Sequence, residues 1–239
     1  MSPRRGAEAS PRPGLAVFIQ ARLGSRRLPG KALLPLQGGN VIQLAMRALK
    51  RLPADVHALL TDRESFETLA PFAREESFEV FPGPEEDVLE RFCLAIEAFR
   101  ARRVVRATGD NPLVSPRLAE LLLRLHEAEG ADLSHFAGIP LGTGVEAVEA
   151  EALIQARAAS RDPYEHEHIT TYLYRHPERF RVRHLPSPPE CALPEARVTL
   201  DTEEDYRLIA RLFQELYHGH PIETEEIVAW FRLQHQEGA

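Results

Sequence analysis

The residues best suited to do chemistry form a basic loop directly after the apolar run Leu15–Ile19. Residues 20–31 contain two glycines, Gly24 and Gly30, and four cations: Arg22, Arg26, Arg27 and Lys31. Glycine permits positive φ and close approach of a ligand to the backbone. Exposed N–H groups combined with arginine and lysine side chains predict an anion site, most naturally one for a polyphosphate.

The loop is not a Walker A sequence, which needs four residues between its glycines and a serine or threonine after the lysine. Here five residues separate Gly24 from Gly30, and Ala32 follows Lys31, so the hydroxyl that would bind a metal is missing. From the residues alone, a solvated basic turn is the alternative interpretation.

Two acidic segments follow other predicted strands and could complete a phosphate site. Asp110 comes after the run Val104–Ala107, and Asp201 comes after Val198–Leu200. Ligands of an open α/β sheet bind beyond the carboxyl ends of its strands, so both carboxylates are expected near the basic loop. Carboxylates hold Mg²⁺ through hard oxygen ligands, and the metal bridges phosphates. The pattern therefore predicts metal-assisted phosphoryl or nucleotidyl transfer.

Each acid also has a structural interpretation. Asp110 stands before Asn-Pro and could form an Asx turn. Thr202 and Asp205 resemble a capping box at the start of a helix, and Asp201 could belong to that cap. A capping side chain can also face a ligand, so both alternatives stay open.

Alternating strand and helix patterns place these segments in an α/β fold. Short β-branched or aromatic runs predict strands, and apolar residues at three- and four-residue spacing predict helices. The strands are Leu15–Ile19, Val56–Thr61, Phe78–Phe81 and Val104–Ala107, and the helices between them are Val41–Arg51, Glu64–Arg74 and Glu86–Ala101. Such alternation implies a mostly parallel sheet with helices on both sides.

The second half of the chain has shorter elements. In order, the pattern predicts helix Leu118–Glu127, strands Ala131–Phe136 and Thr143–Val148, helices Glu149–Ala159 and Tyr164–Arg175, strands Phe180–Leu185 and Val198–Leu200, and helices Thr202–Tyr217 and Glu223–Gln234. We expect one domain over residues 15–239, with a small β/α insertion or lid at about residues 135–195. Residues 1–14 are expected to be a disordered tail.

Three of these segments resemble the signature of the cytidylyltransferases that activate acidic sugars, the CMP-3-deoxy-manno-octulosonate and CMP-N-acylneuraminate synthetases. They are Gln-Ala-Arg-x-Gly-Ser-x-Arg-Leu-Pro-Gly-Lys at residues 20–31, Thr-Gly-Asp-x-Pro-Leu at 108–113 and Thr-Leu-Asp-Thr-Glu-Glu-Asp at 199–205. The similarity extends over nearly all of residues 15–212 and points to the SpsF-like branch of spore-coat polysaccharide proteins. It implies a Rossmann-like nucleotidyltransferase sheet.

The resemblance implies roles for individual residues. Asp110 and Asp201 match the family's metal ligands and are expected to hold Mg²⁺, while Arg22 and Lys31 match its catalytic phosphate-binding cations. The expected nucleotide contacts are Gln20, Ala21, Arg22, Gly24, Ser25, Lys31, Asp87 and Gly109. Segments 140–146 and 167–170 resemble the acceptor side and supply the expected acceptor contacts Gly144, Glu146 and His168.

Some of these residues also have ordinary explanations. Asp87 begins a predicted helix and could simply cap it. His168 could be a switchable hydrogen-bond partner or base, or it could be an exposed helix residue. Its i, i+2 spacing from His166 points the two rings to different faces, which argues against a shared metal site. The acceptor residues of the two sugar-acid synthetases are not matched in this chain.

Composition argues against several function classes. The net charge of −7 disfavours a general nucleic-acid binder. No apolar run approaches the roughly 18 residues of a membrane span, and residues 1–14 lack the apolar core of a signal peptide. Two cysteines fit a reducing cytoplasm, so we expect a cytoplasmic protein. The resemblance adds the expectation of a homodimer.

The expected function is CTP-dependent formation of a CMP-activated sugar or sugar-like acid, with release of pyrophosphate, in surface or spore-coat polysaccharide synthesis. An acceptor oxygen would attack the α-phosphorus of CTP in line. Two alternatives are a nucleotide-sugar-dependent glycosyltransferase, whose common DxD motif is absent from the sequence, and a nucleotide-binding module without turnover.

Overall fold

The computed structural model describes residues 14–25 and 27–237. Its strands are β1 Leu15–Gln20, β2 Pro35–Leu36, β3 Gly39–Asn40, β4 Val56–Asp62, β5 Glu79–Gly83, β6 Arg103–Thr108, β7 Leu133–Ala137, β8 Glu146–Glu149 and β9 Val182–Pro186. Its helices are α1 Val41–Leu49, α2 Arg63–Glu75, α3 Val88–Phe99, α4 Pro116–Glu129, α5 Ala150–Ala159, α6 Pro163–Glu167, α7 Thr171–Arg175, α8 Glu203–Leu216 and α9 Thr224–Glu237. Short 3₁₀ turns cover Lys31–Leu33 and Pro189–Cys191. The tail predicted over residues 1–14 lies outside the described residues, apart from Gly14.

A seven-stranded sheet confirms the expected α/β class. Its strand order is β5-β4-β1-β6-β8-β7-β9, and only the two pairs that β8 makes with β6 and β7 are antiparallel. Strands β2 and β3 form a separate small hairpin that the sequence pattern did not predict. Strands β8 and β9 lie within residues 135–195, the stretch predicted as an insertion, and both belong to the main sheet. No helix among the described residues combines the length and the apolar composition needed to cross a bilayer.

Alternate residues of β1 pack into two different layers of the core. Val17 and Ile19 contribute to the cluster that includes residues of α1 and α4, whereas Ala16 and Phe18 contribute to the one with α3 and α5. All four side chains are fully buried, as expected for a central parallel strand covered on both faces. A third cluster packs α8 and α9 against residues of α1 and therefore anchors the C-terminal helices.

The register of the sheet aligns the ends of its central strands. Gln20, the last residue of β1, pairs with Leu60 of β4 and with Thr108 of β6. The chain then leaves β1 into the basic loop and leaves β6 into the turn that contains Asp110. The register therefore brings the loop and this acid to the same carboxyl edge of the sheet.

Two predicted elements are wrong in detail. The helix predicted over Tyr164–Arg175 is the pair α6 and α7, because His168 between them has φ −106° and ψ 80°, outside the helical region. The strand predicted at Val198–Leu200 is not part of the sheet. The Val198 N–H donates to the Leu141 carbonyl over 2.8 Å and the Leu200 N–H to the Asp110 carbonyl over 3.1 Å, so this segment joins two loops.

Gly109 is expected to tolerate no side chain. A Cβ at this position would lie 2.4 Å from Ile42 Cδ1 and 2.8 Å from Ala21 Cβ, because the chain passes closely between α1 and the end of β1. We expect Gly109→Ala to lower the free energy of unfolding by about 1–3 kcal/mol, measured by urea denaturation.

Gly24→Ala is the matched control for this prediction. Its Cβ would meet only Glu85 Oε1, at 4.0 Å, and the φ of Gly24 is not positive, so we expect a change within about 0.5 kcal/mol. Equal losses in the two variants would contradict the close approach at Gly109.

Candidate active site

A cavity of about 720 Å³ opens at the carboxyl edge of β1 and β6. Its wall is formed by Gln20, Ala21, Arg22, Ser25, Arg27, Lys31, Ala32, Glu85, Glu86, Val88, Arg91, Thr108, Gly109, Asp110, Pro163, Glu167, His168 and Asp201. Most residues predicted to contact phosphate or metal are thus brought to one place. Among those predicted for the nucleotide, Gly24 and Asp87 are not part of this wall.

The Lys31 ammonium lies at the point where three chain segments meet. Its Nζ donates to Asp110 Oδ2 over 2.6 Å, to the Leu200 carbonyl over 2.6 Å and to Asp201 Oδ1 over 3.0 Å. An ammonium has three N–H donors, so these contacts engage all of them. Only 14% of the side chain is exposed, which leaves the charges less screened than at an open surface. Gly30, in the left-handed region at φ 69°, turns the chain so that the 3₁₀ turn begins at Lys31.

The carboxylate of Asp110 faces the cavity rather than its own turn. Within residues 14–25 and 27–237 it accepts a hydrogen bond from Lys31 and none from a backbone N–H, so the Asx turn considered for Asp110 does not form. The turn is held instead by Asn111 Nδ2, which donates to Thr108 Oγ1 over 2.8 Å, and by the Asp110 carbonyl, which accepts from the Leu200 N–H.

Asp201 stands one residue before the cap of α8. The cap is formed by Thr202, whose Oγ1 accepts from the Asp205 N–H over 3.2 Å, while Asp205 Oδ2 accepts from the Thr202 N–H over 2.8 Å. The Asp201 N–H also donates to Asp205 Oδ2 over 2.9 Å, but its side chain takes no part in the cap, so the purely capping interpretation of this carboxylate is wrong. The carboxylate of Asp201 instead contacts Lys31 and two arginines, with Arg27 Nη2 at 2.8 Å from Oδ1 and Arg197 donating to Oδ2.

These cations set the charge state of Asp201. Partial burial alone would raise the pKa of its carboxyl, but the hydrogen bonds from Lys31 and Arg197 outweigh burial and lower the pKa below 3.8. Asp201 is therefore ionised at neutral pH. Since Asp110 Oδ2 and Asp201 Oδ1 contact the same nitrogen, the two oxygens are at most 5.6 Å apart, the sum of their distances to Nζ.

The basic loop offers charge more than backbone amides. The N–H groups of Ala21, Leu23 and Ser25 already donate to the Leu60 carbonyl, to Ser65 Oγ and to the Leu23 carbonyl. Part of the anion cradle predicted from exposed N–H groups is therefore used inside the protein. Gly24 does not use the positive φ that glycine permits, and a Cβ there would meet only Glu85 Oε1, at 4.0 Å.

Arg22 makes no hydrogen bond to the acidic side chains on either side of it. Its side chain is 44% exposed, and its guanidinium lies 3.9 Å from Glu85 on one side and 3.9 Å from Glu167 on the other, too far for a hydrogen bond to either. Arg27, by contrast, is paired with Asp201. Arg27 lies inside the matched motif, but the residue pattern alone does not point to this pairing with Asp201.

The segment at residues 83–92 is held by an arginine whose role the sequence did not reveal. Arg91 is buried, and its guanidinium donates to the Pro84 carbonyl over 2.6 and 2.9 Å and to the Glu85 carbonyl over 2.9 Å. Burial lowers the pKa of Arg91. Asp87 is the N-cap of α3, with Oδ1 accepting from the Glu90 N–H and Oδ2 2.7 Å from His166 Nδ1, so both carboxylate oxygens are occupied.

The predicted acceptor residues are separated in the structure. His168 lines the cavity, and its ring centroid lies 4.4 Å from that of Tyr164. Glu146 lies behind the wall, where its carboxylate accepts from Arg106 over 3.1 Å, from Thr170 over 3.2 Å and from Tyr174 over 2.8 Å. Gly144 is also outside the wall. A role for these residues in acceptor binding stays a prediction.

Asp110 and Asp201 suit a divalent cation that takes its remaining ligands from a bound substrate and from water. In the described part of the chain, no group of three or more His, Cys, Asp or Glu side chains is placed to hold a metal ion. Asp110 and Asp201 nevertheless hold a cationic nitrogen between them, and they are hard oxygen donors. Mg²⁺ commonly takes one or two carboxylates and completes its octahedron with phosphate oxygens and water, which matches this pair.

Comparisons with known proteins give a consistent result. A family model described as cytidylyltransferase matches residues 16–226. The chain is 35% identical to the spore coat polysaccharide biosynthesis protein SpsF of Bacillus subtilis (strain 168) over 219 residues, which cover 88% of this chain and 91% of that protein.

Two solved structures share the fold. A cytidylyltransferase from Leptospira borgpetersenii superposes with a TM-score of 0.85 at 24% identity, covering 93% of this chain and 95% of that one. A CMP:2-keto-3-deoxy-manno-octonic acid synthetase complexed with CTP superposes with a TM-score of 0.66 at 16% identity, covering 84% of this chain and 99% of that one.

The ion pairs of Asp201 predict a pH-dependent effect of Asp201→Asn. At pH 7 we expect the variant to lose roughly 1–2 kcal/mol of unfolding free energy, because charge-assisted hydrogen bonds are lost. The folded-state pKa lies below 3.8, so this stabilisation is present above the unfolded-state pKa and disappears as the pH falls through the folded-state pKa. Urea denaturation of both proteins between pH 7 and pH 3 measures the difference.

Glu203→Gln serves as the control for this series, because it removes the same charge from an exposed position in the same region. We expect little change in stability at any pH. A loss in Asp201→Asn that stays constant down to pH 3 would contradict the ion pairing.

Proposed function

The chain belongs to the cytidylyltransferase family and is a nucleotidyltransferase, and from this premise we propose that it transfers the CMP group of CTP to an acidic sugar or a similar acceptor. The observation that carries the proposal is the meeting of Lys31, Asp110 and Asp201 at one point of the cavity wall, beside the exposed Arg22. This edge of an open α/β sheet is where such folds bind their ligands.

In the proposed reaction, the bond between an acceptor oxygen and the α-phosphorus forms as the bond from that phosphorus to the bridging oxygen of the β-phosphate breaks. The proton of the acceptor hydroxyl passes to water, and pyrophosphate leaves with the electron pair of the broken bond and the added negative charge. Arg22 and Lys31 bind the phosphates and neutralise that charge, while the wall of the cavity orients the acceptor for in-line attack. The rate gain comes from positioning and from preorganised charge rather than from covalent catalysis.

Asp110 and Asp201 are the proposed ligands of a Mg²⁺ ion. Bound there, Mg²⁺ would supply Lewis-acid stabilisation of charge on the triphosphate. The support is the separation of at most 5.6 Å between one oxygen of each carboxylate, the sum of their distances to Lys31 Nζ. The ionised state of Asp201 adds to it.

The acceptor side is proposed to lie where α6 and the break after it reach the cavity, at Glu167 and His168. Similarity to a spore coat polysaccharide biosynthesis protein and to 3-deoxy-manno-octulosonate cytidylyltransferase supports an acidic sugar and a role in surface or spore-coat polysaccharide synthesis. We further propose a single domain over residues 15–239, with residues 135–195 on the acceptor side. A cytoplasmic homodimer completes the proposal, and the two buried free cysteines fit that compartment.

Pyrophosphate release tests the nucleotide and the reaction together. With Mg²⁺ and a panel of acidic sugars, we expect release from CTP at least about tenfold faster than from UTP, ATP or GTP, a difference of about 1.4 kcal/mol in transition-state binding. Equal rates or a purine preference would contradict the cytidylyl transfer. Tight CTP binding by calorimetry without pyrophosphate release from any acceptor would favour the binding module.

The two loop cations are expected to matter chiefly for turnover, although Lys31→Ala also lowers stability because it removes the hydrogen bonds to Asp110 and Asp201. Lys31→Ala and Arg22→Ala should each lower kcat by roughly 10²–10³, the usual cost of removing one preorganised charge, while thermal melting shows a folded protein. Lys50→Ala is the matched control, since Lys50 is the only other lysine of the chain and donates to the Ser77 carbonyl. Near-native turnover in both loop variants would show that the loop is a solvated basic turn without a role in catalysis.

A further inference from the structure

Lys31 has no N–H left for a phosphate in the arrangement that the structure shows. One donor goes to each of Asp110 Oδ2, the Leu200 carbonyl and Asp201 Oδ1, at 2.6, 2.6 and 3.0 Å. A phosphate oxygen can bind this ammonium only if at least one of these bonds is released. The side chain that the proposed function assigns to the triphosphate is therefore engaged elsewhere when no nucleotide is bound.

The same ammonium holds the place that a divalent cation would need. A Mg²⁺ ion on both carboxylates lies about 2.1 Å from an oxygen of each, and Lys31 Nζ already lies between those oxygens. A divalent cation placed this close to the ammonium would be strongly repelled by it, which disfavours occupancy of the site by both. Arg27 and Arg197 also face Asp201, but within the described residues Lys31 is the cation that contacts both acids.

The choice of a lysine here stands out against the composition of the chain, which has 27 arginines and two lysines. A guanidinium is a planar fork suited to bidentate contacts with one carboxylate, whereas an ammonium is a compact point charge with three rotatable donors. Only the ammonium fits three acceptors around one nitrogen. It can also swing to a phosphate on its flexible stem.

We propose that Lys31 is a resident substitute for the divalent cation. In the nucleotide-free protein its ammonium lies between the carboxylates of Asp110 and Asp201 and blocks metal binding there, an arrangement that we call the closed pair. When a triphosphate binds, the ammonium moves to the phosphates and the two carboxylates become available to the metal. Cation and nucleotide therefore bind as a coupled pair, with each raising the affinity for the other by about 5–150-fold. The coupling rests on the proposed function, whereas the closed pair does not.

Manganese binding without nucleotide tests the closed pair directly. Mn²⁺ alone is titrated into the protein, and the signal of the unbound Mn²⁺ is followed by electron paramagnetic resonance, with no activity measured. We expect Lys31→Met to bind one Mn²⁺ at least about tenfold more tightly than the parent chain. Adding Asp110→Asn to that variant should abolish the gain. Lys50→Met removes the same charge elsewhere and should leave Mn²⁺ binding unchanged.

Equal Mn²⁺ affinity in the parent and in Lys31→Met would overturn the proposal, as would a gain that persists when Asp110 is replaced. Circular dichroism and thermal melting establish that the variants are folded. If Lys31→Met does not fold, Lys31→Gln, which keeps a donor but no charge, replaces it in the same titration with the same expectations.

The parent protein supplies a second readout, because two lysines give two side-chain signals after labelling with ¹⁵N-lysine. We expect CTP without metal to shift the Lys31 signal, and millimolar Mg²⁺ without CTP to leave both signals in place. A shift of Lys31 by Mg²⁺ alone would contradict the closed pair. If calorimetry shows no CTP binding, the proposed function fails, while the Mn²⁺ titration still decides the role of Lys31.

Discussion

The site depends on one electrostatic constraint, which is that two ionised carboxylates a few ångströms apart repel each other strongly unless a cation lies between them. Asp110 and Asp201 are 91 positions apart in sequence, and they meet because the Lys31 ammonium binds both together with the Leu200 carbonyl. Removing one partner of such a cluster leaves a charge that is only partly solvated. The contact therefore fixes how the segment before α8 docks on the sheet edge.

The rest of the fold positions the side chains of Lys31, Asp110 and Asp201. The register that pairs Gln20 with Thr108 starts the basic loop and the Asp110 turn at the same level. Gly109 lets the chain pass against α1 without a side chain. The capping box of Thr202 and Asp205 satisfies the first N–H groups of α8, so Asp201 is free to face Lys31. Each of these features acts locally, and each contributes to the contact of Lys31 with Asp110 and Asp201.

The sequence predicted the elements and residues whose placement follows from local periodicity and from their position after a strand. It did not predict contacts between residues that are distant in the chain. The central strands, the helices between them and the edge that carries Lys31 and Asp110 follow from periodicity and from the rule for open sheets. Val198–Leu200 has the composition of a strand, but its N–H groups pair with loops, which composition cannot reveal. The contacts of Arg27, Arg91 and Arg197 depend on side-chain directions set by tertiary packing. The capping role of Asp87, by contrast, depends only on neighbouring residues, and the sequence pattern had indicated it.

A crystal structure with a non-hydrolysable CTP analogue and Mn²⁺ tests the central claim most directly. Anomalous scattering distinguishes Mn²⁺ from water and from the light atoms of the protein. Our account predicts one peak about 2.1 Å from an oxygen of both Asp110 and Asp201, with Lys31 Nζ now on a phosphate oxygen. A peak that touches neither carboxylate, with Lys31 still bound between them, would contradict it.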